Sequence, residues 1–222
     1  MNLLSALGIR RRRFVYCGIE ESPLSVSYAI MACNEDEQLD ELITYLKHYL
    51  RKQDEIVVQI DSANSTDAVR KVVEKHKQDV TSIGEYAFNM DFAAAKNHLN
   101  SLCKCDFIFQ LDADERPTGL LLESIPNLIA ANPKIDLFKI PRNNIFENSD
   151  GSVSNFNSWP DYQGRIYRNR KGIEWQRALH EKIQGYERYT YLPPKAIMSI
   201  MHRKNRAQDM KKWEDWKNRA TK

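Results

Sequence analysis

The stretch FIFQLDADERP (107–117) runs from an apolar, strand-like segment straight into Asp112, Asp114 and Glu115. Two residues apart on an extended backbone, Asp112 and Asp114 point to the same side. Carboxylates that close raise each other's pKa and cost stability, so a cation is expected between them and something else. A hard divalent ion, Mg2+ or Mn2+, takes such oxygen ligands and keeps open positions for phosphate oxygens. The pattern therefore points to a metal-bound diphosphate. The competing reading is a set of acids capping a helix that begins near Thr118, since D-x-D alone is weakly specific.

The surrounding elements decide where these acids would sit. VSYAIMA (26–32) reads as a strand, and DEQLDELITYLKHYL follows with Leu39, Leu42, Ile43, Leu46 and Leu50 at helical spacing. Asn34 and Glu37 stand where an N-cap and its third-position partner would be. EIVVQI (55–60), VTSIGEY and DFIFQLD read as further strands, with helices expected at STDAVRKVVEKHK and DFAAAKNHLNSLC. This βαβα alternation predicts a mostly parallel sheet flanked by helices on both faces. Ligands of such sheets bind outside the C-terminal strand ends. Asn34 and Glu35, Asp61 with the SANSTD turn, and Asp112 to Glu115 all fall there.

Past Thr118 a helix (119–131) and a strand, DLFKIP, are expected. Residues 142–205 are richer in aromatics, Gly and Arg, with short strand-like pieces at GRIYR, EKIQGY and AIMSIMH. They form a second half built against the first.

The 222 residues, 42% hydrophobic and 10% aromatic, suffice for one domain or one domain with a small annex. Cys17, Cys33, Cys103 and Cys105 lack a CxxC spacing or a matching His pattern, which argues against a zinc site or a disulfide framework and for a reduced, cytoplasmic setting. MNLLSALGIRRRRF places its charges after a short apolar run, the reverse of a secretory signal, and no apolar run is long enough to span a bilayer. The expected protein is soluble or peripheral to a membrane. Net charge is +3, but Arg10 to Arg13 contribute four positive charges and residues 203–222 a further five, leaving an acidic body between them. Two basic ends predict contact with an anionic surface or a nucleic acid, or else two solvated tails.

Five segments in order carry a family resemblance: MACNEDEQL, IDSANSTD, FAAAKN, LDADE and WQRALHEKI. From about Ser25 to His202 the chain resembles family 2 glycosyltransferases of the GT-A fold, inverting enzymes that use nucleotide-diphosphate sugars. The HE segment is similar to that of a bacterial subgroup acting on lipopolysaccharide core and related glycans. The resemblance implies an α/β, Rossmann-like GT-A domain over 25–205, with a nucleotide-sugar half (25–118) and a smaller acceptor half (119–205). A basic extension (1–24) and a basic C-terminal helix (206–222) flank it. Ser62 and Ala63 stand where the family usually shows Asp-Gly, and Lys96 stands where Arg is commoner.

Carried over residue by residue, the resemblance places Asn34 and Glu35 along the nucleoside pocket and Asp61 on the uracil or ribose. A turn-forming role is the alternative for Asp61. Lys96 and Asn97 fall near the diphosphate or the metal loop. Asp112 would contact the ribose or, through water, the metal; Asp114 would coordinate the metal directly, and His202 could add a ligand. Arg165 and Arg168 could pair with phosphate or with acids of the body. Inverting transfer needs a base that removes the acceptor proton: Glu181 is the candidate and Asp161 the runner-up, with His180 orienting the acceptor or touching the diphosphate. Trp159 and Trp175 could offer flat faces to a sugar, or simply pack in the core.

The expected donor is a nucleotide sugar, most simply a UDP-sugar, with Mn2+ or Mg2+ as cofactor. The acceptor is a saccharide or lipid-linked glycan, with a hydroxymethylated base in DNA as the alternative. Two other function classes compete. A silent GT-A-like binding module is disfavoured by the D-x-D, His180 and Glu181 together. A nucleotidyltransferase is disfavoured because MACNEDEQ has no glycine for a phosphate loop.

Overall fold

The structure, a computed structural model, describes residues 23–148, 150–155 and 159–205. Arg10 to Arg13, Cys17 and the expected C-terminal helix lie outside the described residues. In chain order the elements are β1 (Val26–Ala32), α1 (Asp36–Lys47), β2 (Glu55–Asp61), α2 (Asp67–Lys75), β3 (Ser82–Tyr86), α3 (Phe92–Leu102) and β4 (Phe107–Asp112). There follow β5 (Glu115–Pro117), α4 (Gly119–Ala131), β6 (Leu137–Glu147), β7 (Val153–Asn155) and β8 (Asp161–Arg168). The last are β9 (Glu174–Gln176), β10 (Lys182–Gln184), β11 (Tyr189–Tyr191), a 3-10 turn (Ala196–Met198) and β12 (Ile200–Asn205).

Strands β3, β2, β1 and β4 pair in parallel in that order. Their near-continuous apolar sequences reflect burial on both faces. On one face Tyr28, Ile30, Ile56, Val58 and Phe109 pack with Leu39, Leu42, Ile43 and Leu46 of α1 and with Leu121, Leu122, Ile125 and Ile129 of α4. Each such Leu or Ile contributes roughly 1.5–3 kcal/mol relative to an exposed one. On the other face Ala29, Val57 and Ile108 meet Ala93 and Leu99 of α3.

The second half continues the same sheet. β8 joins β4 antiparallel, then β6, β12 and β5 follow, while β7 and β11 flank β6. β9 and β10 form a separate antiparallel pair.

Several local expectations need correction. The N-cap of α1 is Glu35 rather than Asn34, and it makes no side-chain cap bond, because its carboxylate is engaged by the amides of Cys33 and Asn34. Helices α2 and α3 are capped by Thr66 and Asp91, which accept from Val69 N and Ala94 N. The acids at 112–115 do not cap α4. Glu115 enters β5, and the N-cap residue is Thr118, whose hydroxyl donates to Ile197 O (2.7 Å). DLFKIP extends to Glu147, since the polar residues that read as loop, Arg142 and Asn144, are spent on side-chain bonds at the sheet edge. AIMSIMH is a 3-10 turn followed by β12, which places His202 inside the strand rather than at its end.

Candidate active site

β4 pairs antiparallel with β8 over Phe107 to Phe109, and just past that ladder Arg165 lies beside Gln110 and Asp112. The Arg165 side chain is almost wholly buried; its Nη2 donates to Asp112 (2.9 Å) and to Glu115 (2.5 Å), and its Nη1 to Gln110. Arg142 extends the chain of charges, donating to Glu115 (2.9 Å) and to Asp161 (2.9 Å). Asp161 also accepts from Asn144 (2.9 Å) and Gln163 (2.7 Å). Charged groups thus alternate in sign from Asp112 through Arg165, Glu115 and Arg142 to Asp161. A buried carboxylate such as Glu115, with its side chain fully covered, persists because two guanidinium groups hold it.

The protonation preferences follow. Desolvation pushes the Asp112 carboxyl up, but the charges of Arg165 and Lys96 outweigh it and hold the group well below the usual carboxylate range. Asp161 is also held low: desolvation raises it, while bonds from Asn144 and Arg142 overcome that. Arg165 is driven the other way. Burial disfavours its charge, yet Glu115 and Asp112 raise its pKa above the ordinary value.

Asp114 faces His202 and joins this network through it and Asn144. Its Oδ2 is 3.3 Å from His202 Nε2, and His202 Nδ1 is 2.7 Å from Asn144 Oδ1. Because the Asn144 amide nitrogen donates to Asp161, its oxygen must accept, so the Nδ1 of His202 carries a proton. That bond fixes the ring with Nε2 toward Asp114, as outer-shell partners orient metal-binding histidines. Desolvation raises the Asp114 pKa, and the His202 contact brings it down below its ordinary value.

These two residues meet the chemical requirement for Mn2+ or Mg2+ only in part. One carboxylate oxygen and one imidazole nitrogen converge, and no group of three or more His, Cys, Asp or Glu that could hold a metal occurs among the described residues. A divalent ion held here would have to complete its shell with diphosphate oxygens and water. Asp112 has Oδ2 on Arg165 and Oδ1 on Gln110 (3.1 Å), which leaves it suited to an outer role.

A third cluster is built on α3. Lys96 is buried, its Nζ lies 2.5 Å from Glu181 Oε1 and 4.4 Å from the centre of the Trp175 ring. Asn97 serves the fold instead, because its amide donates to Trp175 O and its oxygen accepts from Trp175 N, both at 2.8 Å. It clips β9 to the helix. Trp175 is buried against Tyr167, whose hydroxyl accepts from its Nε1 (3.0 Å), so it packs in the core; Trp159 is exposed. The loop between β9 and β10 is tied down by Phe92 N donating to Ala178 O (3.0 Å). Arg177 and His180 adopt left-handed backbone (φ 75° and 54°), and His180 is exposed.

The first two strand ends form a fourth cluster. Asp61 Oδ1 accepts from the amides of Ala63, Asn64 and Phe88, and its Oδ2 from Asn64 Nδ2 (2.7 Å). It performs the turn-forming role, joining the SANST turn to the segment after β3. Asn34 lies alongside, with its amide placed to donate to the carbonyls of Asn64 and Cys33 (3.1 Å each). Arg168 is drawn to the opposite end of β8, where it pairs with Asp136 (3.3 Å) and covers the Phe107 ring.

Glu115 has no role assigned by the sequence pattern alone, and no motif in that pattern marks Arg142, Gln110 or Asn144. Arg142 and Asn144 share one face of β6, two residues apart, and that spacing is the signal that was available.

The profile described as "Glycosyl transferase family 2" matches residues 27–192. The chain belongs to that family. No curated protein matches the sequence. Among solved structures, S. aureus TarS 1-349 in complex with UDP is 15% identical with a TM-score of 0.57, over 82% of this chain and 61% of that one. S. aureus TarS 1-349 in complex with UDP-GlcNAc is 16% identical with a TM-score of 0.56, over 82% of this chain and 58% of that one. This likeness establishes the fold, a GT-A arrangement of a large, mostly parallel sheet flanked by helices. The chain spans about three fifths of those TarS structures. Among its described residues no helix is long and apolar enough to cross a membrane.

Proposed function

We propose that the enzyme transfers a sugar, with inversion, from a nucleotide-diphosphate sugar to an acceptor hydroxyl. The observation that carries the reading is the convergence on one sheet edge of Asp114 with an oriented His202, of Asp112 anchored by Arg165, and of Glu181 held by Lys96. A UDP-sugar is the favoured donor, supported by the UDP and UDP-GlcNAc found in TarS, which shares the fold. Asp114 and His202 would hold Mn2+ or Mg2+ together with the diphosphate. When bound, such an ion supplies electrostatic stabilisation of the departing nucleoside diphosphate.

Glu181 is the base in this reading. Its carboxylate takes the acceptor hydroxyl proton as the acceptor oxygen bonds to the anomeric carbon and the bond to the diphosphate oxygen breaks. Lys96 would be shared between Glu181 and the incoming diphosphate, since its charge already reaches Asp112. Asp161 is less suited, with Arg142, Asn144 and Gln163 all bonded to it. The acceptor is a saccharide or lipid-linked glycan of the lipopolysaccharide-core type, met by a cytoplasmic enzyme peripheral to the membrane.

Incubation with a panel of UDP- and GDP-sugars, with and without Mn2+ or Mg2+, tests this. Metal-dependent release of UDP from one UDP-sugar is expected. Pyrophosphate release from nucleoside triphosphates, with no nucleotide-sugar turnover, would replace the reading with nucleotidyl transfer.

A further inference from the structure

Away from the edge, the sheet carries a row of tyrosines that the transfer chemistry does not use. Tyr162 of β8 lies against Tyr191 of β11 (ring centres 4.7 Å apart), Tyr191 against Tyr189 (5.7 Å), and Tyr189 against Tyr186 (5.7 Å). All three contacts are edge-to-face, at 71°, 76° and 74°. Lys139 of β6 places its ammonium 4.7 Å from the Tyr189 ring centre and 5.2 Å from that of Tyr191. Tyr189 is 46% exposed, on a strand whose ladder runs to β6.

The row starts on the acceptor side. Within β8 residues two apart share a face, so Tyr162 and Gly164 look the same way. A side chain at Gly164 would meet Ile183 of β10, two residues beyond Glu181. Tyr162 therefore shares the sheet face that carries the β9–β10 hairpin, and it follows Asp161 in the chain.

We propose that Tyr162, Tyr191, Tyr189 and Tyr186, with Lys139, form a binding track for an extended saccharide, the part of the acceptor beyond the reacting hydroxyl. This rests on the glycosyltransferase reading above. Tyrosine offers an apolar face with a polar rim, which matches the alternating C–H faces and hydroxyl edges of a sugar chain. The ring-to-ring steps are comparable with the repeat of one sugar unit. Lys139 supplies donors for hydroxyl or carboxylate oxygens at the centre of the row. A single-stranded nucleic acid suits it less well. Single-strand binding needs a strongly cationic groove along the phosphate backbone, whereas Lys139 is the cation found over these rings among the described residues.

The test is saturation-transfer NMR on the full chain with maltohexaose, chitohexaose and a hyaluronan hexasaccharide. At least one should bind the parent, and Tyr189→Ala should weaken it about tenfold, as loss of an aromatic anchor does. Lys139→Met should weaken it less, and calorimetric UDP binding should be unchanged in both variants. No binding by any of the three, equal binding by Tyr189→Ala, or displacement of the bound sugar by a short oligothymidylate whose own binding depends on Tyr189 would overturn the proposal. UDP-sugar turnover measured on the same samples separates the two claims. Glycan binding without turnover sinks the donor reading alone, and turnover with Tyr189-independent glycan binding sinks the track alone.

Discussion

Lys96 Nζ and Glu181 Oε1 stand 2.5 Å apart, joining the first turns of α3 to the loop between β9 and β10 across 85 positions of sequence. The pair is asymmetric in exposure: the Lys96 side chain is 5% exposed and that of Glu181 19%. The carboxylate thus keeps a solvent-facing side, where an acceptor can approach, while the ammonium stays fixed beneath it under Trp175. Arg165 does for Asp112 and Glu115 what Lys96 does for Glu181. Both cations come from inside the fold, and each fixes an acid at the edge where the proposed donor would bind.

Arg165→Met should be among the most damaging single changes. It strands Glu115, which is fully covered, and Asp112, and breaking a buried pair costs about 3–5 kcal/mol. For a domain of this size each kcal/mol moves Tm by about 2–4 °C, so calorimetry should show a drop of roughly 6–20 °C. Arg165→Lys should recover only part of it, because one ammonium cannot reproduce the fork to Gln110, Asp112 and Glu115. A Tm equal to the parent's would show that the network is not structural.

Acid should destabilise the protein in a defined direction. Asp112, Asp114 and Asp161 all have folded pKa values below the ordinary 3.8. A depressed carboxyl contributes stability that is fully present above its unfolded value and is lost as pH falls through the folded one. The urea midpoint should therefore hold between about pH 5 and 7 and fall below about pH 4. A midpoint that rises on acidification would contradict the assignment.

Gly185→Ala tests the hairpin that presents Glu181. Gly185 has φ +81°, and an added Cβ would lie 1.6 Å from Gly172 O, so the backbone closing the β9–β10 unit must shift. Gly151→Ala is the control, with φ +79° and nothing within 4 Å. The control should cost about 1 kcal/mol of backbone strain, and Gly185→Ala clearly more. Transfer should fall in Gly185→Ala while UDP binding is kept. Equal losses in denaturation midpoint for the two variants would remove the steric argument.

Asp114→Ala should abolish the enhancement of UDP binding by Mn2+ in calorimetry and reduce transfer to background, since the proposed carboxylate ligand to the ion is removed. His202→Ala should weaken the same enhancement without abolishing it. Unaltered Mn2+ dependence in Asp114→Ala would mean that the ion, if any, is held elsewhere.

The parallel half was legible because its strands are buried on both faces and its helices carry apolar stripes; the α4 span of 119–131 could be read to the residue. The second half was less so, because β6 and β8 spend polar residues on the edge network and therefore look like loops. Asp114 and His202 are 88 positions apart, and their meeting depends on β12 pairing with β5, which no local pattern announces. Asn97 and Asp61 show the converse: a polar residue at the expected position can be fully occupied by a backbone clip or a turn. The internal cation for Asp112 was hidden for the same reason, since Arg165 reaches it only through the antiparallel β4–β8 contact.

Glu181→Gln tests the central claim most directly. The amide keeps the size of the side chain but cannot take the acceptor proton. Transfer and UDP binding should be measured side by side, once a turned-over donor and acceptor are in hand. Parent-like UDP and Mn2+ binding should accompany transfer reduced roughly 10²- to 10⁴-fold, the usual contribution of a positioned base. Transfer within a few-fold of the parent in Glu181→Gln, alongside an inactive Asp161→Asn that still binds UDP, would contradict this and move the base to Asp161.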